Sequence, residues 1–232
     1  MEQRTILSSG TDRRGSLSPA AIRDALTAKP PGVRRAPRGP VALELPDETR
    51  GDHDLNPDMM PKLPLTAAAV LVPLVLRMEG LTILLTQRTE HLAEHAGQVA
   101  FPGGRVDPED ADAIAAALRE AEEEIGLARR LVEPIGQLDT YVTRTGYEVT
   151  PVVGLVQPRF DLVLNPLEVA DAFELPLAYL LDEANRRMES RVYNGVERHF
   201  WTVPWQNRFI WGATAGMLVN LAEILAPRAG AS

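Results

Sequence analysis

The sequence predicts an α/β domain in which strands and helices form packed layers. Residues 69–76 and 81–86 are apolar and rich in β-branched side chains, and the turn between them ends at Gly80, which is typical of a buried hairpin. Over residues 113–125 apolar side chains recur at 3.6-residue spacing, and Gly126 follows at the position where a helix commonly ends. Strands mixed with helices, without an internal repeat, indicate a layered α/β or α+β architecture.

The later elements continue this mixture. Strands are expected near residues 135–142 and 147–156, and a helix over residues 176–184 that begins with a proline. Asn194-Gly195 between two strand-like runs predicts a two-residue hairpin turn. The chain should close with a helix over about residues 213–225.

The first 62 residues are predicted to be a proline- and arginine-rich extension, followed by one domain over residues 63–228. Nine of the 19 prolines lie in the first 64 residues, which favours irregular structure. Ser18 is placed to cap a short helix that has Ile22 and Leu26 on one face. We expect this helix to dock loosely on the domain rather than to bind a partner.

Composition excludes several functions. The net charge of −8 argues against nucleic acid as a partner, because a duplex binder usually carries a basic stripe. The absence of cysteine excludes disulfide frameworks, thiolate metal sites and cysteine nucleophiles. No apolar run is long enough to span a membrane and no signal core is visible, so we expect a cytoplasmic protein without a membrane partner.

A cluster of glutamates within the predicted helix carries the chemistry. Helical spacing places Glu120, Glu123 and Glu124 along one face and turns Glu122 elsewhere. Such carboxylates repel one another on a bare helix, whereas a bound cation reverses that penalty. Oxygen ligands suit Mg²⁺ or Mn²⁺. Taken alone, the same spacing is also typical of a solvated acidic helix face.

The segment before the helix favours the metal site. Gly103-Gly104 closes an apolar stretch, and glycines let the backbone approach a ligand closely. Together with residues 119–127, Gly104 resembles the Nudix box, G-x5-E-x7-R-E-U-x-E-E-x-G-U, where U is apolar. The resemblance implies the Nudix fold, an α/β/α sandwich with a mixed β-sheet. The loop is one residue longer than the pattern, and Asp110 and Asp112 lie near the missing mid-loop glutamate.

Both departures resemble one branch of that family, the coenzyme A diphosphatases. Residues 84–104 are similar to the second signature of this branch, L-L-T-x-R-[ST]-x-x-L-x-x-H-x-G-x-V-A-F-P-G-G. Weaker similarity extends the resemblance to about residues 65–225. Ala93 and Glu94 stand where members often have basic residues, and this difference bears on affinity for an anionic substrate tail.

The resemblance implies hydrolysis of coenzyme A to 4′-phosphopantetheine and adenosine 3′,5′-bisphosphate. Divalent ions would neutralise the pyrophosphate and activate water. The implied metal ligands are Glu120, Glu124, Glu123 and the carbonyl of Gly103 or Gly104. Arg119 is expected to orient a glutamate of the box rather than to touch substrate. The general base is left open between Glu123 and Glu168.

Three positions are candidates for substrate binding. Arg88, His95 and Gly103 lie in or beside the glycine-rich segment, although Arg88 and His95 could equally fix the loop before Gly97. The remaining aromatic and histidine side chains are interpreted as structural.

Alternative functions stay open within and beyond this branch. One is hydrolysis of another nucleoside diphosphate derivative, such as ADP-ribose or a dinucleoside polyphosphate. Another is a non-catalytic module that binds a nucleotide, which loss of the helix glutamates of the box would favour, yet Glu120, Glu123 and Glu124 are all present. Dimers are common in the family, so both a monomer and a homodimer are considered.

Overall fold

The structure is a computed structural model that describes residues 17–28, 49–91 and 95–226. Its first half contains two helices and five strands in the order α1 (Pro19–Thr27), β1 (Thr49–Gly51), β2 (Thr66–Arg77), β3 (Gly80–Arg88), β4 (Val99–Ala100), β5 (Gly103–Arg105) and α2 (Ala113–Ile125). The second half continues with β6 (Val132–Gln137), β7 (Thr140–Val142), β8 (Tyr147–Val156), β9 (Val169–Pro176), α3 (Leu177–Leu181), β10 (Arg187–Tyr193), β11 (Val196–Trp205), β12 (Arg208–Trp211) and α4 (Gly212–Leu225).

Strands β1 to β9 form one mixed sheet, and β10 to β12 form a smaller antiparallel one. The long strands β2 and β8 run parallel from the pair Thr66–Tyr147 to the pair Val75–Val156. Strand β3 returns antiparallel to β2, as the predicted hairpin requires. Parallel and antiparallel pairs in one sheet confirm the predicted mixed architecture.

Helices cover both faces of the large sheet. On one face α2 packs through Ala117, Ala121 and Ile125. On the other face α4 packs through Leu218 and Leu221, and α1, α3 and the small sheet join the same core. Alternating side chains of β2 supply both cores, as expected of a strand between two layers. The expected α/β/α sandwich is therefore confirmed.

Several elements differ in extent from the prediction. The strand expected over 135–142 is two strands, β6 and β7. The helix expected over 176–184 is shortened to Leu177–Leu181, because Pro176 still belongs to β9 and a separate 3₁₀ turn follows at Glu183–Asn185. The predicted hairpin turn is present, with positive φ at Asn194 and Gly195. None of the helices in the described ranges has the length and apolar character needed to cross a bilayer.

Helix α1 forms at the predicted position within the extension. The Ser18 hydroxyl accepts the N–H of Ala21 at 3.2 Å, and a proline opens the helix. Ile22 is fully buried and Leu26 nearly so, in the core beside α4. Burying one side chain of this size contributes about 1.5–3 kcal/mol relative to leaving it exposed, so the helix is docked more firmly than expected.

Residues 49–62 also contact the domain closely. Strand β1 pairs parallel to β7, and Arg50 donates to the buried carboxylate of Asp139 at 2.8 Å. The side-chain amide of Asn56 bonds both the N–H and the C=O of His199 in β11, at 2.9 and 2.8 Å. The boundary at residue 62 stays a prediction, and we infer from these contacts that residues 49–62 fold together with the domain.

Candidate active site

Helix α2 carries the predicted carboxylates and is fixed at both ends. The Asp112 carboxylate accepts the N–H of Ala115 at 2.8 Å and caps the first turn. Gly126 ends the helix with φ of 70°, a left-handed conformation that glycine adopts at little cost. The apolar stripe of the helix faces the sheet. The side chains beside that stripe therefore lie close to the first residue of β5, Gly103.

Glu124 is the most buried of these carboxylates. The residue is 4% exposed, and its Oε2 accepts the backbone N–H of Gly103 at 3.2 Å. The Arg88 guanidinium lies 3.8 Å from the other carboxylate oxygen, which is too long for a tight ion pair. Burial raises the pKa of Glu124 to about 7, and the contacts with Gly103 and Arg88 offset the effect only in part.

Glu120 lies against the second glycine of the pair. A Cβ atom at Gly104 would fall 2.5 Å from Oε1 of Glu120, so any other residue there would displace the carboxylate. At Gly103, φ is 158° and a Cβ would fall 2.4 Å from the carbonyl oxygen of Ala69. Burial also raises the pKa of Glu120. Gly103 is therefore required by the close approach of the β2 backbone, whereas a side chain at Gly104 would move the Glu120 carboxylate from its place.

Arg119 ties the helix to the loop before it. Its guanidinium donates twice to Asp110, at 3.0 and 2.8 Å, and once to the backbone carbonyl of Arg105 at 3.1 Å. The same group donates to Glu120 at 2.9 Å and to Glu123 at 3.0 Å. The hydrogen bonds from Arg119 hold the pKa of Asp110 below its usual value. These are the contacts expected of an orienting residue, a role that stays a prediction.

Glu123 is oriented differently from its two neighbours. Its side chain is 59% exposed and bonds Arg119. In the ranges that the structure describes, no three acidic or histidine side chains converge closely enough to hold one ion. The structure thus brings Glu120 and Glu124 to the glycine pair, while the proposed roles of Glu123 as ligand or base stay predictions.

Glu168 reaches the same place from a distant part of the chain. Its carboxylate accepts from the Asn165 side chain at 3.2 Å, and its backbone carbonyl accepts the N–H of Thr89 at 3.0 Å. Its negative charge contributes to the raised pKa of both Glu120 and Glu124, so the three groups share one electrostatic environment. No sequence signal predicted that Thr89 and Asn165 would hold this loop.

The predicted substrate-binding residues divide into two groups. Arg88 lies beside Glu124, and its buried Nε has no hydrogen-bond partner among the described atoms, so it can receive an anion. His95 is exposed, and its ring contacts Gln98 of its own loop at 3.0 Å. The departures at Ala93 and Glu94 lie outside the described residues. The substrate contacts of Arg88, His95 and Gly103 stay predictions.

The donor set fits a hard divalent cation. Glu120 and Glu124 present carboxylate oxygens only, which Mg²⁺ and Mn²⁺ prefer. Burial raises the pKa at both positions, because the contacts that each carboxylate makes do not balance the cost of withdrawing its charge from water. A cation would supply that balance. The carbonyl of Gly104 as a further ligand stays a prediction.

Comparison with known proteins defines the class. The NUDIX domain family matches residues 65–189, more than half of the chain. The chain therefore belongs to the Nudix family of hydrolases, whose members generally use divalent metal ions.

Two similar curated relatives are Nudix hydrolases named NudL. The chain is 47% identical over 155 residues to the uncharacterized Nudix hydrolase NudL of Escherichia coli strain K12, covering 67% of this chain and 80% of the relative. Identity to NudL of Yersinia pestis strain Pestoides F is 43% over 156 residues, covering 67% and 78%. Among solved structures, a Caenorhabditis elegans Ap4A hydrolase complex aligns with a TM-score of 0.41 and 22% identity, covering 49% of this chain and 82% of the other.

Proposed function

We propose that this Nudix hydrolase cleaves the pyrophosphate of coenzyme A or its derivatives, with Mg²⁺ or Mn²⁺, to 4′-phosphopantetheine and adenosine 3′,5′-bisphosphate. The observation that supports the hydrolytic assignment is the pair of carboxylates, buried Glu124 and half-buried Glu120, that lies against Gly103-Gly104. The choice of coenzyme A is supported by the second signature in residues 84–104, which contributes Arg88 and Gly103 to the surroundings of that pair.

The chain's own residues have separate tasks in this proposal. Glu120 and Glu124 would hold the cation, and the carbonyl of Gly104 would add an oxygen. Bound divalent ions would neutralise the phosphate oxygens and lower the pKa of the attacking water. Arg119, anchored by Asp110, keeps Glu120 in place. Arg88 donates to a phosphate oxygen through N–H groups that the protein does not fully use.

Glu168 is favoured over Glu123 as the general base. The loop that carries Glu168 contacts helix α2, since the Asn165 N–H donates to the Glu124 backbone carbonyl at 2.8 Å, and the charge of Glu168 acts on both Glu120 and Glu124. Glu123 already accepts from Arg119 at 3.0 Å, so one of its carboxylate oxygens is engaged within the protein. A base must lie within hydrogen-bond reach of the attacking water, directly or through one further water.

Product identification tests the proposal. The protein is incubated with coenzyme A, ADP-ribose and a dinucleoside polyphosphate, each with Mg²⁺ or Mn²⁺, and the products are identified by mass spectrometry. We expect adenosine 3′,5′-bisphosphate from coenzyme A as the fastest reaction. Faster cleavage of another compound would overturn the coenzyme A assignment, and no cleavage of any would favour a nucleotide-binding module.

A matched pair of variants tests the site itself. Glu120→Gln removes a proposed metal ligand, whereas Glu122→Gln changes a glutamate of the same helix that pairs with Arg129 at 2.9 Å. We expect the first to lose most activity and the second to keep it. Equal rates in both variants would exclude the metal-hydrolase mechanism.

A second substrate class is supported by one feature of the chain. Ala93 and Glu94 lack the positive charge that relatives of this branch often have, which would weaken attraction for the 3′-phosphate side of coenzyme A. ADP-ribose has no such phosphate. Its relative rate in the same assay decides between the two.

A further inference from the structure

Strand β10 is an open edge of the small sheet. Over Arg187–Tyr193 it pairs with β11 on one side, and no described strand pairs with its other side. Its apolar side chains are exposed, with Val192 at 74% and Tyr193 at 64%. An exposed edge of seven residues with apolar side chains is a template for pairing with another strand, which natural proteins usually prevent.

The sequence of β10 is complementary to itself about its central residue. If two copies pair antiparallel with Ser190 on the two-fold axis, Glu189 of each copy lies opposite Arg191 of the other. Met188 then faces Val192, and Arg187 faces Tyr193. Opposite charges and apolar pairs directly across antiparallel strands each stabilise by about 0.2–1 kcal/mol. Every pair occurs twice because the interface is symmetric.

Neighbouring registers lack this complementarity. Centring the axis on Glu189 would place that carboxylate against its own copy and Arg187 against Arg191. Centring it on Arg191 would place two guanidinium groups together. A two-fold axis placed between two neighbouring residues is excluded, because residues that point to opposite faces of the sheet would then lie across from each other. The register about Ser190 is also the longest, because it pairs all seven residues of the strand.

One charged side chain of β10, Arg191, has no oppositely charged partner among the described residues of its own chain. It lies opposite Arg198 of β11. Arg198 itself forms an ion pair with Asp58. Arg191 instead lies over the ring of Phe200, 5.8 Å from its centroid. Glu189 from a second copy would supply the missing opposite charge.

We propose that two copies of this chain associate through β10, in an antiparallel register about Ser190, to form a continuous six-stranded sheet. The interface lies on the small sheet and uses none of the residues assigned to hydrolysis. Because it consists mainly of one strand pair, the dimer should dissociate on dilution.

Charge reversal tests this register. Wild-type protein is measured by sedimentation velocity from about 1 to about 100 µM, a range in which a small interface dissociates. Glu189→Arg and Arg191→Glu are measured singly, combined in one chain and mixed as two proteins. Glu79→Arg, in the exposed β2–β3 turn, serves as the control for a change of net charge.

Each single reversal should weaken dimerisation roughly tenfold or more, since both symmetric pairs become repulsive. The double variant and the mixture of single variants should regain it, because both restore opposite charges. Circular dichroism and hydrolase activity establish that each variant is folded.

Three results would overturn the proposal. One is a wild-type monomer at every concentration. Another is a dimer that both single reversals leave intact. The third is a monomer whose amides over residues 187–193 exchange slowly with solvent. Slow exchange would mean that another segment of the same chain already pairs with the free edge of β10.

Discussion

Two glutamates, Glu174 in β9 and Glu124 in α2, show how the same side chain serves different purposes in this protein. Glu174 accepts from the Arg77 guanidinium, at 3.0 Å from Nε, and from the Thr82 hydroxyl at 2.6 Å. Its pKa is lowered mainly by the hydrogen bonds from Arg77. Glu124 has one backbone donor and an arginine at 3.8 Å, and burial raises its pKa to about 7.

Both carboxylates are partly or wholly buried, so burial alone does not distinguish them. Their hydrogen-bond partners do. A buried carboxylate with matched donors holds the fold together. A buried carboxylate without them raises the free energy of the folded state unless a proton or a cation joins it. Glu174 therefore forms a structural ion pair, whereas Glu124 lacks matched donors, as the proposed cation site requires.

The largest expected effect is on catalysis. Glu124→Gln should lower kcat for the preferred pyrophosphate substrate about 10²- to 10⁴-fold, because the proposed cation loses a ligand. Glu174→Gln should leave the rate of the folded enzyme within about twofold, since it lies in the structural pair. Steady-state kinetics with saturating Mg²⁺ measure both. Similar losses in the two variants would remove the distinction.

The next effect concerns stability and pH in the presence of a chelator. Because the pKa of Glu124 is raised in the folded state, the group stabilises the fold below about pH 4.5, and that contribution is lost as pH rises towards about 7. Relative to Glu124→Gln, wild type should lose about 2–3 kcal/mol across this window. Urea unfolding at several pH values measures it.

Metal addition provides the control for that experiment. At pH 8, Mg²⁺ should raise the melting temperature of wild type and have little effect on Glu124→Gln, because a cation that binds only the folded state stabilises it. A pH-independent difference between the two proteins would contradict the assigned cause.

A smaller effect is expected at the structural pair. Glu174→Gln should lower the free energy of unfolding by about 1–2 kcal/mol, since Arg77 and Thr82 lose a charged acceptor while the pair is partly open to solvent. Urea unfolding at pH 7 with metal present gives the value. An unchanged midpoint would show that Glu174 contributes nothing to stability.

The smallest expected effect concerns the anchor of Arg119. Asp110→Asn should lower kcat roughly tenfold, because Arg119 loses its two charged hydrogen bonds and positions Glu120 less well. The matched control is Asp107→Asn, whose carboxylate lies 3.4 Å from Arg119 and is half exposed. Equal rates in both variants would indicate that Arg119 is held by its other contacts.

Local pattern predicted much of the fold and part of the site. The spacing of apolar residues predicted α2 over Ala113–Ile125 and the β2–β3 hairpin, because both are determined by neighbours in the chain. The same spacing placed Glu120 and Glu124 on one face. The pairing of β1 with β7 was not predicted, since a three-residue strand carries too little periodicity to be recognised.

The sequence by itself determined the family, the positions of the box glutamates and the turn of Glu122 away from them, because motif spacing and helical geometry are local properties. Only the tertiary structure decided that Glu124 is buried, that Glu123 bonds Arg119, and that the distant Glu168 acts on the same pair. Burial and long-range charge depend on how separate elements pack, and no pattern within one segment encodes them.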